Sequence, residues 1–269
     1  MHRIDRWLLL VAIAWTWSCS GDDDRPPSLG NCTGSGCSDR PPSGVTPQPE
    51  GGPLDDRDGA TGVTTVDLQG SIVRFVDSTF SGETPFQGSG KVRVFNEHGD
   101  DEVSFSSDAT PGYSASGVVT GGAWFTVLPN NVHLNQMKET HAYLHVPFDA
   151  PYDFSIPVID TVLLTEVYAW IGLGLVDDSY ANVIVVFERD GQRASGVTVS
   201  GHPTAHAKAY DCADGFCVDA TATGANGVLV LANVTGSAKL EWTDRDGTPG
   251  SLDITHSSRR ATFARVRLP

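Results

Sequence analysis

The chain of 269 residues carries a formal net charge of −15, with 39% hydrophobic residues, 29 glycines and 16 prolines. So acidic a surface repels phosphate backbones and anionic headgroups, which excludes nucleic acid as a partner and leaves membrane contact to a covalent anchor. The glycine and proline content belongs to a loop-rich globular protein with one polar stretch.

Arg3 and Arg6 precede an uncharged run at positions 7–17, "WLLLVAIAWTW". As a helix this run would span about 16 Å, half the hydrocarbon thickness, so it reads as an export signal and not as a membrane span. Thr16-Trp17-Ser18 offers small residues at the two positions a general signal peptidase reads, and that cleavage stays open. Cys19 follows at once, and here the chain resembles a bacterial lipoprotein signal, whose lipobox ends in the cysteine that receives the lipid. Ser18 fits that pattern, while Thr16 and Trp17 depart from it. The resemblance implies a signal peptide of residues 1–18 and acylation of Cys19. Because Ser20 rather than Asp follows, it also implies an outer-membrane location, with the periplasmic or surface face undecided.

Five cysteines, Cys19, Cys32, Cys37, Cys212 and Cys217, leave one thiol over in an exported chain. If Cys19 is acylated, four remain in two C-x4-C pairs, "CTGSGC" and "CADGFC". Local disulfides Cys32–Cys37 and Cys212–Cys217 are expected, although four cysteines allow three connectivities. The rival reading is zinc, since C-x4-C lies at the edge of known ligand spacings; an oxidising compartment weighs against it.

Positions 19–62 read as a disordered tether. Residues 19–60 hold seven prolines, eight glycines, no aromatic residue and a net charge of −5, too little apolar surface to offset the entropy of ordering. As a flexible coil the segment would reach about 35 Å. Residues 63–158 then alternate in the manner of half-buried strands, as in "QGSIVRFVD", "KVRVFN", "EVSFSS", "AWFTVL" and "HAYLHV". Residues 159–180 form a helical connector. Asp160 is its expected cap, "TVLLTEVYAW" its body, and Gly172 or Gly174 its end. A buried strand is the alternative there. Residues 181–269 return to strands: "NVIVVFE", "GVTVS", "AHAKAYD", "VLVLANV", "AKLEW" and "ATFARVRL". Asp190-Gly191, Asn226-Gly227 and Asp246-Gly247 tolerate the positive φ of tight turns. The expected fold is all-β: one or two small antiparallel Greek-key β-sandwiches joined by a short helix.

Within the last region, "VVFERDGQRASGVTVSG" and "TATGANGVLVLANVTG" carry a further likeness. From Ala181 to Gly247 the chain resembles a carboxypeptidase regulatory-like domain, a small transthyretin-like sandwich. Thr223, Asn226, Gly227, Leu229, Leu231, Val234 and Gly236 fit its turn-and-strand signature, and Thr235 replaces a common proline. Residues 66–150, with "LQGSIVRFVD" and "VTGGAWFTVLPN", resemble a degenerate second copy. The resemblance implies a non-catalytic module without a cofactor. The alternation alone already nominates Val183, Val185, Phe187, Val197, Val199, Leu229, Leu231 and Val234 as an inner face.

Side chains with chemistry are scattered. On a strand, His141 and His145 of "HAYLH" stand about 13 Å apart, too far to share an ion. His202 and His206 of "HPTAH", placed in a loop, are weak metal candidates without a third ligand. Glu97, Asp100, Asp101 and Glu102, with "VDDSYAN" and "DRDG", suit calcium by type but not by spacing. Tyr113, Trp124, Phe148 and Tyr152 are candidates for a sugar-stacking platform, with core packing as the alternative. There is no G-x-S-x-G elbow, no H-E-x-x-H helix and no phosphate-loop spacing. The expectation is a lipid-anchored, non-enzymatic envelope protein without a cofactor, acting as a structural or interaction module. A binder of a glycan, peptide or divalent ion is the alternative, and a hydrolase ranks last.

Overall fold

The computed structural model describes residues 64–269 except 97–98, 150, 152, 237 and 255–258. The expected signal peptide, Cys19, the Cys32–Cys37 pair and the tether lie outside the described residues.

In the first half the strands are β1 (Thr65–Gly70), β2 (Ile72–Phe75), β3 (Glu83–Pro85), β4 (Ser89–Asn96), β5 (Gly99–Ser106), β6 (Tyr113–Val119), β7 (Gly121–Pro129), β8 (Met137–Val146) and β9 (Ile156–Asp160). The helix α1 (Thr161–Trp170) follows. The second half adds β10 (Ala181–Arg189), β11 (Gln192–Arg193), β12 (Thr198–Gly201), β13 (Thr204–Cys212), β14 (Gly215–Cys217), β15 (Val228–Thr235), β16 (Ala238–Thr243), β17 (Pro249–Ile254) and β18 (Arg260–Leu268). The protein is all-β with one short helix, as the alternation predicts. The pattern did not reveal the polar strand "YSASGVV" of β6, most of β1, or β3, β9, β11, β14 and β17.

One long sheet runs through the described residues in the order β1-β6-β4-β7-β8-β18-β10-β15-β13-β14, and a second sheet has the order β12-β16-β17. Most pairs are antiparallel, but β18 lies parallel to both β8 and β10, and β2 lies parallel to β9. The parallel pairs place β18 in the middle of the long sheet, so it joins residues 65–146 to residues 181–235 by backbone hydrogen bonds.

Two cores lie on opposite faces of this sheet. In β10, Ile184 and Val186 point into one core with Phe125, Val127, Leu144 and Phe263, and α1 and β9 cover it with Leu164, Val167 and Val158. Val183, Val185 and Phe187 point the other way, against Val199, Leu240, Trp242 and Ile254 of the three-stranded sheet. All eight residues nominated from the alternation belong to this second core. Each fully buried side chain of this kind contributes about 1.5–3 kcal/mol.

Local chemistry fixes the ends of elements. The Asp160 carboxylate accepts the Val162 N–H at 2.7 Å and caps α1. Gly172, at φ +73°, ends the helix, with Leu173 N–H bonding Tyr168 C=O and Gly172 N–H bonding Ala169 C=O. Asp190 and Gly191 both have positive φ and close the two-residue hairpin between β10 and β11. The loop after β2 is held by the Asp77 carboxylate, which accepts the N–H and hydroxyl of both Thr79 and Ser81. That loop drives Phe80, fully buried, between the rings of Phe75 and Phe216, and the Arg193 guanidinium donates to the Phe80 carbonyl.

Two buried polar side chains do the same for the second half. Asp211 accepts the N–H groups of Gly224, Asn226 and Val228 at 2.7–2.9 Å. Thr223 donates its hydroxyl to Ala194 C=O at 2.9 Å and accepts the Val197 N–H at 3.0 Å. Thr223→Val keeps the shape and removes both bonds, leaving a buried N–H and C=O without partners. Urea unfolding is expected to show a loss of about 1–3 kcal/mol, whereas the exposed Thr221→Val stays within about 0.5 kcal/mol of the parent.

Candidate interaction surface

The three-stranded sheet covers one face of β18, β10, β15 and β13. The same face of β4, β7 and β8 has no such layer among the described residues. The β8 burial pattern shows it: Ala142, Leu144 and Val146 are buried, while His141, Tyr143 and His145 are half-buried.

Register aligns the residues of this face into rows. Glu102, Arg93, Thr126, His141 and Thr262 lie side by side on β5, β4, β7, β8 and β18. The next row holds Trp124, Tyr143 and Ala264. The Trp124 indole stacks on the His141 imidazole, with centroids 4.4 Å apart and planes 4° from parallel, and Tyr143 tilts against the indole at 5.2 Å. His141 Nδ1 and Thr126 Oγ1 share a hydrogen bond of 2.9 Å. Gly122 makes room for Tyr143, since a Cβ there would lie 1.8 Å from the phenol oxygen. Ion pairs rim the rings: Arg93 with Glu102 at 3.3 Å, and Arg260 with Glu139 at 2.8 Å.

Burial, helped by the Arg260 charge, pushes the His141 pKa down to about 4. Burial and Arg267 lower His145 in the same sense, and burial raises Tyr143. At neutral pH the centre of the face is therefore uncharged and aromatic, with charges at the rim. It is suited to contact with rings, C–H surfaces and hydroxyls.

Of the residues singled out from sequence, Trp124, His141, His145 and Glu102 belong to this face, and the remaining ring and histidine candidates fall elsewhere. Tyr113 is buried and donates its hydroxyl to Phe154 C=O at 2.7 Å, so it serves the core. Phe148 is 70% exposed on the segment after β8, and Tyr152 lies outside the described residues. His202 and His206 were expected together in a loop. Strand β13 begins at Thr204, so His206 stands on a strand, while the His202 ring bonds the Pro203 carbonyl at 2.7 Å. Among the described residues no three His, Cys, Asp or Glu side chains gather as metal ligands.

Cys212 and Cys217 form a disulfide across the β13–β14 hairpin, which removes both thiols from the zinc reading. Several carboxylates of the acidic turns are occupied internally, while Glu97 lies outside the described residues. Glu102 pairs with Lys91 and Arg93, Asp178 with Lys138, and Asp244 with Arg189. Asp244 also accepts the N–H groups of Asp246 and Thr248, which holds the β16–β17 turn. A cleft of about 280 Å³ lies between that turn and the β10–β11 hairpin, but Arg189 on its wall is already bound to Asp244 and Asp246. No described helix is long and apolar enough to cross a membrane.

No family model and no curated protein matches the chain. The solved structures with distant likeness include two that span much of this chain. One is the Bacillus anthracis TIE protein, at 10% identity and a TM-score of 0.24, covering 76% of this chain and 33% of that one. The other is a Streptococcal ancillary pilin, at 8% identity and a TM-score of 0.22, covering 75% of this chain and 68% of that one. The chain thus spans about a third of the TIE protein's length, and neither likeness is close enough to carry an argument.

The depressed His141 pKa has a definite consequence. The unfolded chain takes up a proton near pH 6.5 and the folded one only near 4. The contribution of His141 to stability is therefore full above pH 6.5, is lost as pH drops toward 4 and levels below it. His141→Gln is expected to flatten that part of the stability–pH curve, measured by urea unfolding at pH 7.5 and pH 4.5. An unchanged slope would show that His141 is not the group responsible.

Proposed function

We propose that this is a lipid-anchored, non-enzymatic protein of the cell envelope whose β body presents interaction surfaces. The observation that carries the reading is Cys19, set directly behind an uncharged run too short to span a bilayer. The Cys212–Cys217 disulfide supports an oxidising compartment. An outer-membrane destination follows from Ser20. The second half, two sheets closed over a Val- and Leu-rich core, accords with a carboxypeptidase regulatory-like module acting as a scaffold.

A second reading, a binding protein for a glycan or peptide, is favoured by one feature, the row of Trp124, His141 and Tyr143 with ion pairs beside it. Aromatic bodies with polar tips suit surfaces where one side is apolar and the other wet.

Intact-mass analysis of the protein from bacterial membranes tests the anchor. Diacyl or triacyl mass is expected on an amino-terminal Cys19, and Cys19→Ser should move the protein to the soluble fraction. A protein that stays on the membrane after that substitution, or a mature chain of unacylated mass, overturns the reading.

A further inference from the structure

The long sheet ends at β13, and its outer edge is treated unevenly. Beyond Ala209 that edge is paired by β14, a three-residue strand clipped to it by the Cys212–Cys217 disulfide. From Thr204 to Ala209, β13 pairs only with β15 among the described residues. The neighbouring edge strand β12 is capped at Val199: its N–H bonds the Tyr210 hydroxyl at 2.9 Å, and its C=O accepts from the Lys208 ammonium at 3.3 Å. The open part of β13 has none of the usual protection. It contains no proline and no outward carboxylate, and its lysine is turned across to β12 and the Tyr210 ring.

The hairpin fixes which groups face out. Cys212 flanks the tight turn and pairs with Gly215, so its N–H and C=O point toward β14. Alternation along the strand then points the N–H and C=O of Tyr210, Lys208, His206 and Thr204 to the same side. The free edge therefore offers three residues' backbone groups, spaced two apart and centred on His206.

We propose that this edge pairs antiparallel with β13 of a second copy, about a two-fold axis at His206. In that register His206 exchanges both bonds with its counterpart, and Thr204 exchanges both with the other copy's Lys208. Every open donor and acceptor on the edge is then matched, which is the self-complementarity a two-fold contact requires. Charge selects the same place. The chain carries −15 overall, yet residues 202–209, "HPTAHAKA", hold no acidic side chain. Two copies that repel elsewhere can approach there. Apart from His206 on the axis and Lys208, which faces Thr204, the side chains brought together are small.

The inference is independent of the proposed anchor. Its test is sedimentation velocity of the mature full-length protein over a range of concentrations, in excess detergent if it is acylated. A concentration-dependent dimer is expected. His206 is exposed, so replacing it leaves the fold intact. His206→Glu and His206→Lys each place like charges face to face and should raise the dimer dissociation constant about tenfold or more. Mixing the two variants should restore the dimer, and hydrogen exchange should protect the amides of 204, 206 and 208 only in the dimer. A protein still monomeric at about 1 mM, or a dimer indifferent to both substitutions, overturns the proposal.

Discussion

The structure depends on three adjacent strands, β18, β10 and β15, that are buried on both faces. A strand with one wet face alternates polar and apolar residues, whereas β10 reads "ANVIVVF" with every residue buried. Its even-numbered valine and isoleucine and its odd-numbered valines belong to different cores, so each core is built on the back of the other. A change of volume at Val185 displaces a backbone that also carries Ile184, and close-packed interiors transmit such strain. The two halves of the protein are coupled mechanically through that shared wall, with the Phe80 loop as a second tie.

Polar groups inside the second half do a different job. Asp211, Thr223 and Asp244 each bind backbone groups of a turn that has no ladder partner. Loops buried beside a sheet leave N–H and C=O groups that must be satisfied. Here short side chains satisfy them locally, which allows tight connections between strands that lie in different layers.

Much of this fold was legible in the sequence, for identifiable reasons. Val-rich alternation located most strands, Asp160 located the start of the helix, and the Asp-Gly and Asn-Gly dipeptides located turns. The strand "YSASGVV" escaped because its small polar residues carry little periodic signal, and β17 because it opens on a proline at a sheet edge. The parallel pairing of β18 with β8 escaped for a deeper reason: the partners are about 120 residues apart, and nothing local encodes register over such a distance. The aromatic face shows the same limit. Trp124 was visible as a candidate, but His141 was weighed only against His145 along its own strand, and Tyr143 was not a candidate. Their relation to Trp124 runs across strands, and only the register of β7 with β8 reveals it.

The central position of β18 also bears on how the chain reaches this state. Until residues 260–268 are available, β8 and β10 have no common neighbour, and each half exposes a raw inner edge of the sheet. The two parts of the long sheet therefore close on each other only when β18 docks between them. Ordering then has to wait for contacts between distant parts of the sequence, which are slow to form.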